Sequence, residues 1–321
     1  MLQTWDGKKP ERALIRMLIK LSTTVLSGIL VLHAAYAAAN PDAQLPAFAQ
    51  EHTAQVHVAD TLNVMSLNLA HGRKDSINQF LVSEEQTRQN LHDIAEVLEQ
   101  RDIDVLALQE ADAPSRWSGG FDHLAELSMQ TAYTERLHSL HARNWIYNFG
   151  TALLSRIGFV ENIQHTFTPS PPTTNKGFTL GQIAWQYDSE KPRTLHVDLV
   201  SIHLDFSRQS VRERQIHELV SILNQRNNPR VIMGDFNTDW QDEDGLIQGL
   251  VERLDLHTYE PDSLEMGTYP SSGRRLDWIL VSRELSIQGY DTLPDTLSDH
   301  LAVIASLRVK PQKNQATASL E

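Results

Sequence analysis

Apolar positions along the chain fall into short runs that end on polar residues. The clearest is Val231-Ile232-Met233-Gly234-Asp235-Phe236-Asn237, where a buried strand breaks into a carboxylate and a carboxamide two positions apart. A loop leaving a central strand in this way projects polar groups into the crevice beyond the sheet, where such sheets keep their ligands. Asp235 and Asn237 are therefore candidates for chemistry, although the same residue types also end strands as plain turns. Leu62 to Leu69 predicts a first strand, and Asp104 to Glu110 predicts a buried one ending in a carboxylate. Between them Leu91, Ile94, Val97 and Leu98 repeat on one face, predicting a helix from Ser83, as its cap, to Gln100. Strand, helix and strand make a β-α-β unit.

The pattern continues with a helix over Phe121 to Met129 and strands at Trp145 to Asn148, Thr151 to Ser155, Phe159 to Thr168, Phe178 to Tyr187 and Leu195 to Leu204. So many successive strands imply antiparallel pairing. A second amphipathic helix, Val211 to Gln225, leads into the Asp235 strand. A polar loop from Thr238 to Gly245, a short helix to Leu250, and strands at Leu276 to Ser282, Ser286 to Tyr290 and Leu301 to Val309 follow.

The amino-terminal stretch has a different pattern. Lys8, Lys9, Arg12, Arg16 and Lys20 precede the apolar run Leu21 to Leu32 and the small-residue segment His33 to Ala39. This order predicts a secretory signal peptide over residues 1–39, cleaved after Ala37 or Ala39. A retained anchor needs roughly 20 apolar residues, and this core is shorter and broken by Ser and Thr. Residues 40–60, with Pro41 and Pro46, predict a linker, 61–310 the folded domain, and 311–321 a disordered tail. The expectation is a periplasmic or secreted monomer with no stable membrane insertion after cleavage.

Composition narrows the chemistry. The 321 residues carry a formal charge of -13, which disfavours non-specific attraction to nucleic acid or anionic membrane. A bound divalent cation can still reverse the field in one cleft. There is no cysteine, which excludes disulfides, thiolate metal sites, a cysteine nucleophile and a lipoprotein anchor.

Polar residues recur at the ends of the buried runs: Asn68, Glu110, His203 with Asp205, Asp235 with Asn237, then Asp277 and the Ser298-Asp299-His300 segment. Singly, most read better as turns, caps or core histidines, although a carboxylate at the edge of a buried run, as at Glu110, needs a partner. Together they are coherent. The oxygen ligands Asn68, Glu110 and Asp299 suit Mg²⁺ or Mn²⁺. Asp235 is placed to align or deprotonate a water while Asn237 steadies a phosphoryl oxygen. His203 and His300 would hydrogen-bond non-bridging oxygens or protonate the departing one, with Asp277 fixing the tautomer of His300. This is the chemistry of metal-assisted phosphoester hydrolysis.

With these residues in hand, the chain resembles the endonuclease/exonuclease/phosphatase superfamily. The matching pieces are Met65-Ser66-Leu67-Asn68, Leu108-Gln109-Glu110, Ala152 to Arg156, Ser201 to Asp205, Gly234 to Asn237, Arg275 to Ser282 and Ser298-Asp299-His300, in the family's order. The resemblance implies an α+β fold, a four-layer αββα sandwich of two mixed β-sheets flanked by helices, DNase I-like. It also implies Glu110 as principal metal ligand with Asn68 beside it and Asp299 near the metal. Asp235 and Asn237 would serve the nucleophile and phosphate, Asp277 would pair with His300, and His203 would be the second histidine. Tyr147 falls close to where some members place a phosphate-contacting tyrosine. Lys176 stands where several have an arginine before a glycine, here Gly177; lysine keeps the charge but loses the bidentate fork.

The substrate stays open at this level, between nucleic acid, a phospholipid head group as in sphingomyelinases, and small phosphate esters such as inositol phosphates or nucleotides. No hairpin of consecutive aromatics suited to a bilayer is evident. Arg208, Arg212 and Arg214 offer a small phosphate-facing patch or a solvated helix face. A non-enzymatic reading is a secreted protein that holds a phosphorylated ligand without turnover.

Overall fold

The computed structural model describes residues 56–294 and 296–311. The predicted signal peptide, most of the predicted linker and nearly all of the predicted tail lie outside the described residues. Among the described residues, no helix is long and apolar enough to cross a membrane.

Two β-α-β units set the plan. In the first, β2 (Leu62–Asn68) and β3 (Val105–Asp112) pair in parallel, joined by helix α1 (Glu84–Arg101). The Ser83 hydroxyl accepts from the Gln86 amide at 3.2 Å and so caps α1 at its predicted start. In the second, β8 (Arg193–His203) and β9 (Arg230–Asp235) pair in parallel, joined by α3 (Gln209–Leu223). Antiparallel strands flank each pair. The first sheet runs β12 (Leu285–Thr292), β13 (Val303–Val309), β2, β3, β5 (Asn148–Ser155), β4 (Glu135–Arg143). The second runs β1 (His57–Val58), β7 (Gly177–Tyr187), β8, β9, β11 (Asp277–Ser282), β10 (Leu256–His257), with β6 (Phe159–Thr166) also paired to β7.

Three apolar layers hold the sheets and helices together. Met65, Leu67, Leu106 and Leu108 pack under α1 and α2 (His123–Gln130). Val200, Ile202, Ile232 and Leu280 pack under α3 and α4 (Leu246–Arg253). Between the sheets lie Val64, Ala107, Leu153, Ile183, Val231 and Ile279. The result is a four-layer α+β sandwich of two mixed sheets, as the resemblance implies.

Three local expectations are corrected. Strand β4 was not predicted, because Glu135-Arg136-Leu137-His138-Ser139 carries too few apolar residues to read as a core strand. It is an edge strand, which needs only one buried face. Of the strand expected over Trp145 to Asn148, only Asn148 is in a strand, as the first residue of β5; Trp145 to Tyr147 lie in the hairpin turn between β4 and β5. There the Asn144 side chain accepts from the amides of Ile146 at 2.7 Å and Tyr147 at 2.9 Å. Finally, the predicted linker already contains strand β1, parallel to β7, with the Trp185 indole donating to the Ala59 carbonyl at 2.7 Å.

Candidate active site

Strand alternation explains why the polar residues meet. On β2, Leu62 and Val64 face the opposite sheet while Met65 and Leu67 face the helices, so the alternation carries Ser66 and Asn68 to the inter-sheet side. On β8 the same count takes Val197 and Leu199 on to Ser201 and His203. On β9, Val231 and Met233 lead to Asp235, and on β11, running the other way, Val281 and Ile279 lead to Asp277. One inter-sheet layer is therefore apolar at one end and polar at the other. Gln109 and Ser201 bridge the sheets where the character changes, with the Gln109 amide 3.1 Å from the Ser201 hydroxyl.

Glu110 breaks the alternation. By count it belongs on the helix side with Leu106 and Leu108. A bulge intervenes: β3 advances from Leu108 to Ala111 while β5 moves only from Ala152 to Gly150, and Glu110 takes a left-handed φ of 49°. The extra residue lets its carboxylate reach the groups of the polar end. A second strained segment follows β2, where Ala70, His71 and Gly72 all have positive φ (44°, 58° and 70°). The Asn68 Oδ1 accepts from the Ala70 amide at 3.0 Å, and the Asn90 amide donates to the Gly72 carbonyl at 2.9 Å; these contacts hold the turn. At the end of β9, Gly234 leaves no room for a side chain, since a Cβ would lie 2.0 Å from the Ile202 carbonyl oxygen.

Asp235 is the junction of the site. Its Oδ2 accepts from the Asn68 amide at 3.0 Å and lies 3.5 Å from His203 Nε2 and 3.9 Å from His300 Nε2. Its Oδ1 accepts from the Asn237 backbone amide at 2.9 Å. Asn237, at φ 52°, donates its side-chain amide to the Leu204 carbonyl at 3.1 Å, so it locks the loop as well as lining the site. His300 donates Nδ1–H to Asp277 Oδ2 at 2.8 Å, the pairing expected from sequence. Lys176 is buried, 3.0 Å from His203 Nε2 and 3.9 Å from Glu110 Oε1.

Protonation follows from this packing. Burial raises the Asp235 carboxyl and the neighbouring Asp277 adds to it, against the pull of His300, leaving it pushed up to about 7. His300 is destabilised as a cation by burial, but Asp277 and Asp235 outweigh that and lift it to about 10. Burial, then Lys176, hold His203 well below the ordinary histidine range, so it is neutral. Burial alone would raise Glu110, yet His71, Lys176, His203 and His300 together pull it down to about 2.

Two residues that sequence reasoning missed complete Glu110's surroundings. His71 Nε2 is 3.3 Å from Glu110 Oε2, and His71 Nδ1 lies 2.8 Å from the buried Asp112 Oδ2. Signals were present: a His-Gly pair immediately after the Asn68 strand, and a second carboxylate two positions beyond Glu110. Two other expected residues have partners of their own. The Asp299 carboxylate is held by Arg73, another residue not anticipated. Tyr147 packs against Trp117 at 5.2 Å and Phe149 at 5.5 Å, two rings that also pack against His71. Of the arginine patch, Arg208 and Arg212 are engaged with carbonyls of Pro171 and Asp205, at 3.0 and 3.1 Å, rather than free to hold phosphate.

The donor set fits a hard divalent cation. Asp235, Asp277 and His300 can each offer an atom within 4.8 Å of the others, and Asp277 Oδ1 is a buried oxygen with no hydrogen-bond partner. A protonated His300, however, has no lone pair to give. Glu110, ionised and partly exposed, and Asn68, on adjacent strand ends, are the better pair of oxygen ligands.

Comparison with known proteins identifies the family and the fold. The model of the "Endonuclease/Exonuclease/phosphatase family" matches residues 65–300. No curated protein matches the chain. Among solved structures, an endonuclease/exonuclease/phosphatase from Beutenbergia cavernae superposes with a TM-score of 0.60 at 20% identity, covering 78% of this chain and 72% of that one. The human Nocturnin catalytic domain with bound sulfate gives 0.57 at 21% identity, covering 78% and 94%. A mannosyl-6-phosphatase from Bacteroides thetaiotaomicron gives 0.54 at 17% identity, covering 77% and 99%.

Proposed function

Because the chain belongs to the endonuclease/exonuclease/phosphatase family, we propose that it is a divalent-metal-dependent phosphodiesterase of nuclease-like type, exported by its amino-terminal leader. The observation that carries the reading is the junction at Asp235, where a carboxyl poised near neutrality meets Asn68, Asn237, His203 and His300 within 4 Å. Glu110 and Asn68 would hold Mg²⁺ or Mn²⁺, which supplies Lewis-acid polarisation of a phosphoryl oxygen.

The chain's own groups divide the remaining work. Asp235 takes the proton of the attacking water, a role suited to a pKa near the working pH. Asn68 and the Asn237 backbone amide orient its carboxylate. His300, kept cationic by Asp277, faces the transferring phosphoryl group and offsets the charge that builds there. Lys176 and neutral His203, 3.0 Å apart beside Glu110 and Asp235, are further groups to meet a phosphoryl oxygen.

The test is hydrolysis of bis-p-nitrophenyl phosphate with Mg²⁺ and with EDTA. Turnover that needs the metal and disappears in Asp235→Ala and His300→Ala is expected. Tight phosphate binding without turnover would instead make the protein a receptor. Mass spectrometry of the exported chain tests the leader: an intact Leu21 to Leu32 segment would contradict its removal.

A further inference from the structure

The rim beside Glu110 is lined with aromatic rings that the phosphoryl chemistry does not use. His71, in contact with Glu110, packs against Trp117 with ring centroids 4.9 Å apart. Trp117 in turn stacks with Phe80 at 5.9 Å and an interplanar angle of 23°. From the neighbouring hairpin turn comes Trp145, with the Arg116 guanidinium 5.6 Å over its ring. Phe80 and Trp145 are 65% and 73% exposed, so neither is a core residue displaced to the surface.

These rings are held in place. Asn78 Oδ1 accepts from the Phe80 amide at 2.9 Å, and Asn144 braces the turn that carries Trp145. Arg116 and Trp145 also line a shallow, open depression with Ser115, Gly119, Gly120 and Glu84. A continuous line of rings therefore runs from the carboxylate at the reaction centre to solvent.

We infer that this platform binds the organic part of the substrate, and that this part is a nucleobase stacked on Phe80 and Trp145. The inference rests on the phosphodiesterase reading and supplies its substrate class. Exposed π-faces with a nearby guanidinium are the usual means of holding unpaired bases, and they are indifferent to base identity. The line of rings starts at His71, 3.3 Å from the proposed cation ligand Glu110, so the organic substituent of a phosphate held by that cation would extend along it. Exposed Ile77 and Leu81 flank Phe80 and would also suit an acyl chain, but stacked rings beside a cation match a planar heterocycle better.

The experiment compares kcat/KM on a single-stranded oligonucleotide, a dinucleotide, and an oligonucleotide of the same backbone with abasic residues. Wild-type protein is expected to favour the base-carrying substrates about tenfold for each stacked base. Phe80→Ala and Trp145→Ala are expected to shrink that ratio towards one, and Phe80→Tyr and Trp145→Phe to keep it. A dinucleotide as good as the oligonucleotide identifies a small nucleotide ester as the ligand; a poorer one identifies a single strand. Equal use of base-carrying and abasic substrates, or a ratio unmoved in the alanine variants, overturns the platform while leaving the hydrolase reading intact. So does a preference for sphingomyelin vesicles that the same variants abolish. Turnover of none of the phosphodiesters overturns the hydrolase reading itself.

Discussion

Two chains of acid, histidine and acid face each other across the site, and their groups are protonated differently. In one, Asp112 holds His71 at 2.8 Å and His71 reaches Glu110 at 3.3 Å. In the other, Asp277 holds His300 at 2.8 Å and His300 reaches Asp235 at 3.9 Å. Burial weighs on both histidines and on Glu110 and Asp235, and in both chains the paired carboxylates raise the histidine. Yet Glu110 falls to about 2 and Asp235 rises to about 7. Neighbours account for the difference: Glu110 sees His71, Lys176, His203 and His300, whereas Asp235 has Asp277 beside it. The same arrangement thus yields a permanent anion, suited to a cation, and a carboxyl that exchanges its proton near neutrality.

This contrast can be broken from either side. The largest effect is expected in Asp235→Asn, which removes the proton acceptor and should lower kcat about 10²–10⁴-fold while leaving Mg²⁺ affinity nearly intact. Glu110→Gln should do the reverse, with Mg²⁺ binding by calorimetry weakened and activity partly recovered at high Mg²⁺. If both substitutions raise the Mg²⁺ dissociation constant equally, the division of labour is wrong. His71→Gln should weaken Mg²⁺ affinity about 10–100-fold, the usual effect of removing a group that orients a ligand, and Asp112→Asn should sit at the low end of that span.

The pH profile sharpens the comparison further. Activity should rise as Asp235 ionises near 7 and fall as His300 loses its proton towards 10, with no step from Glu110. His300→Gln should erase the alkaline limb and His71→Gln should keep it; an alkaline limb surviving without His300 would refute the assignment. The smallest effect concerns folding. His300 is raised above its unfolded value of 6.5, so its stabilisation is complete below that pH and is lost as pH climbs through about 10. The melting-temperature gap between wild type and His300→Gln should accordingly narrow from pH 6 to pH 10.

Much of this site could be read in the chain. Asn68, His203, Asp235 and Asp277 follow from period-2 alternation, since each continues an inward-facing apolar series beyond its last hydrophobic member. The pairing of Asp277 with His300 was read from their chemistry and agreed with the resemblance, although the two lie on separate segments. Glu110 was identified as a ligand, but its orientation was not legible: the alternation sends it to the helix side, and only the bulge against β5 turns it round. His71 was hidden for a similar reason. A left-handed turn through Ala70 and His71 has no signature when the residues are not glycine or asparagine, and tertiary contacts alone sustain it. Edge strand β4 was invisible because only one of its faces is buried.

The single inserted residue in β3 also defines a route by which activity could be lost while the architecture persists. Removing one residue between Leu108 and Ala111 would make the ladder with β5 regular: loss of Glu110 removes the acid outright, and loss of Gln109 moves the acid back by one position into the place of the side chain that bridges to Ser201. A one-codon deletion would then produce a protein that melts close to the parent temperature and hydrolyses nothing. Inert descendants of such an enzyme are recognisable by a shortened third strand rather than by a mutated catalytic residue.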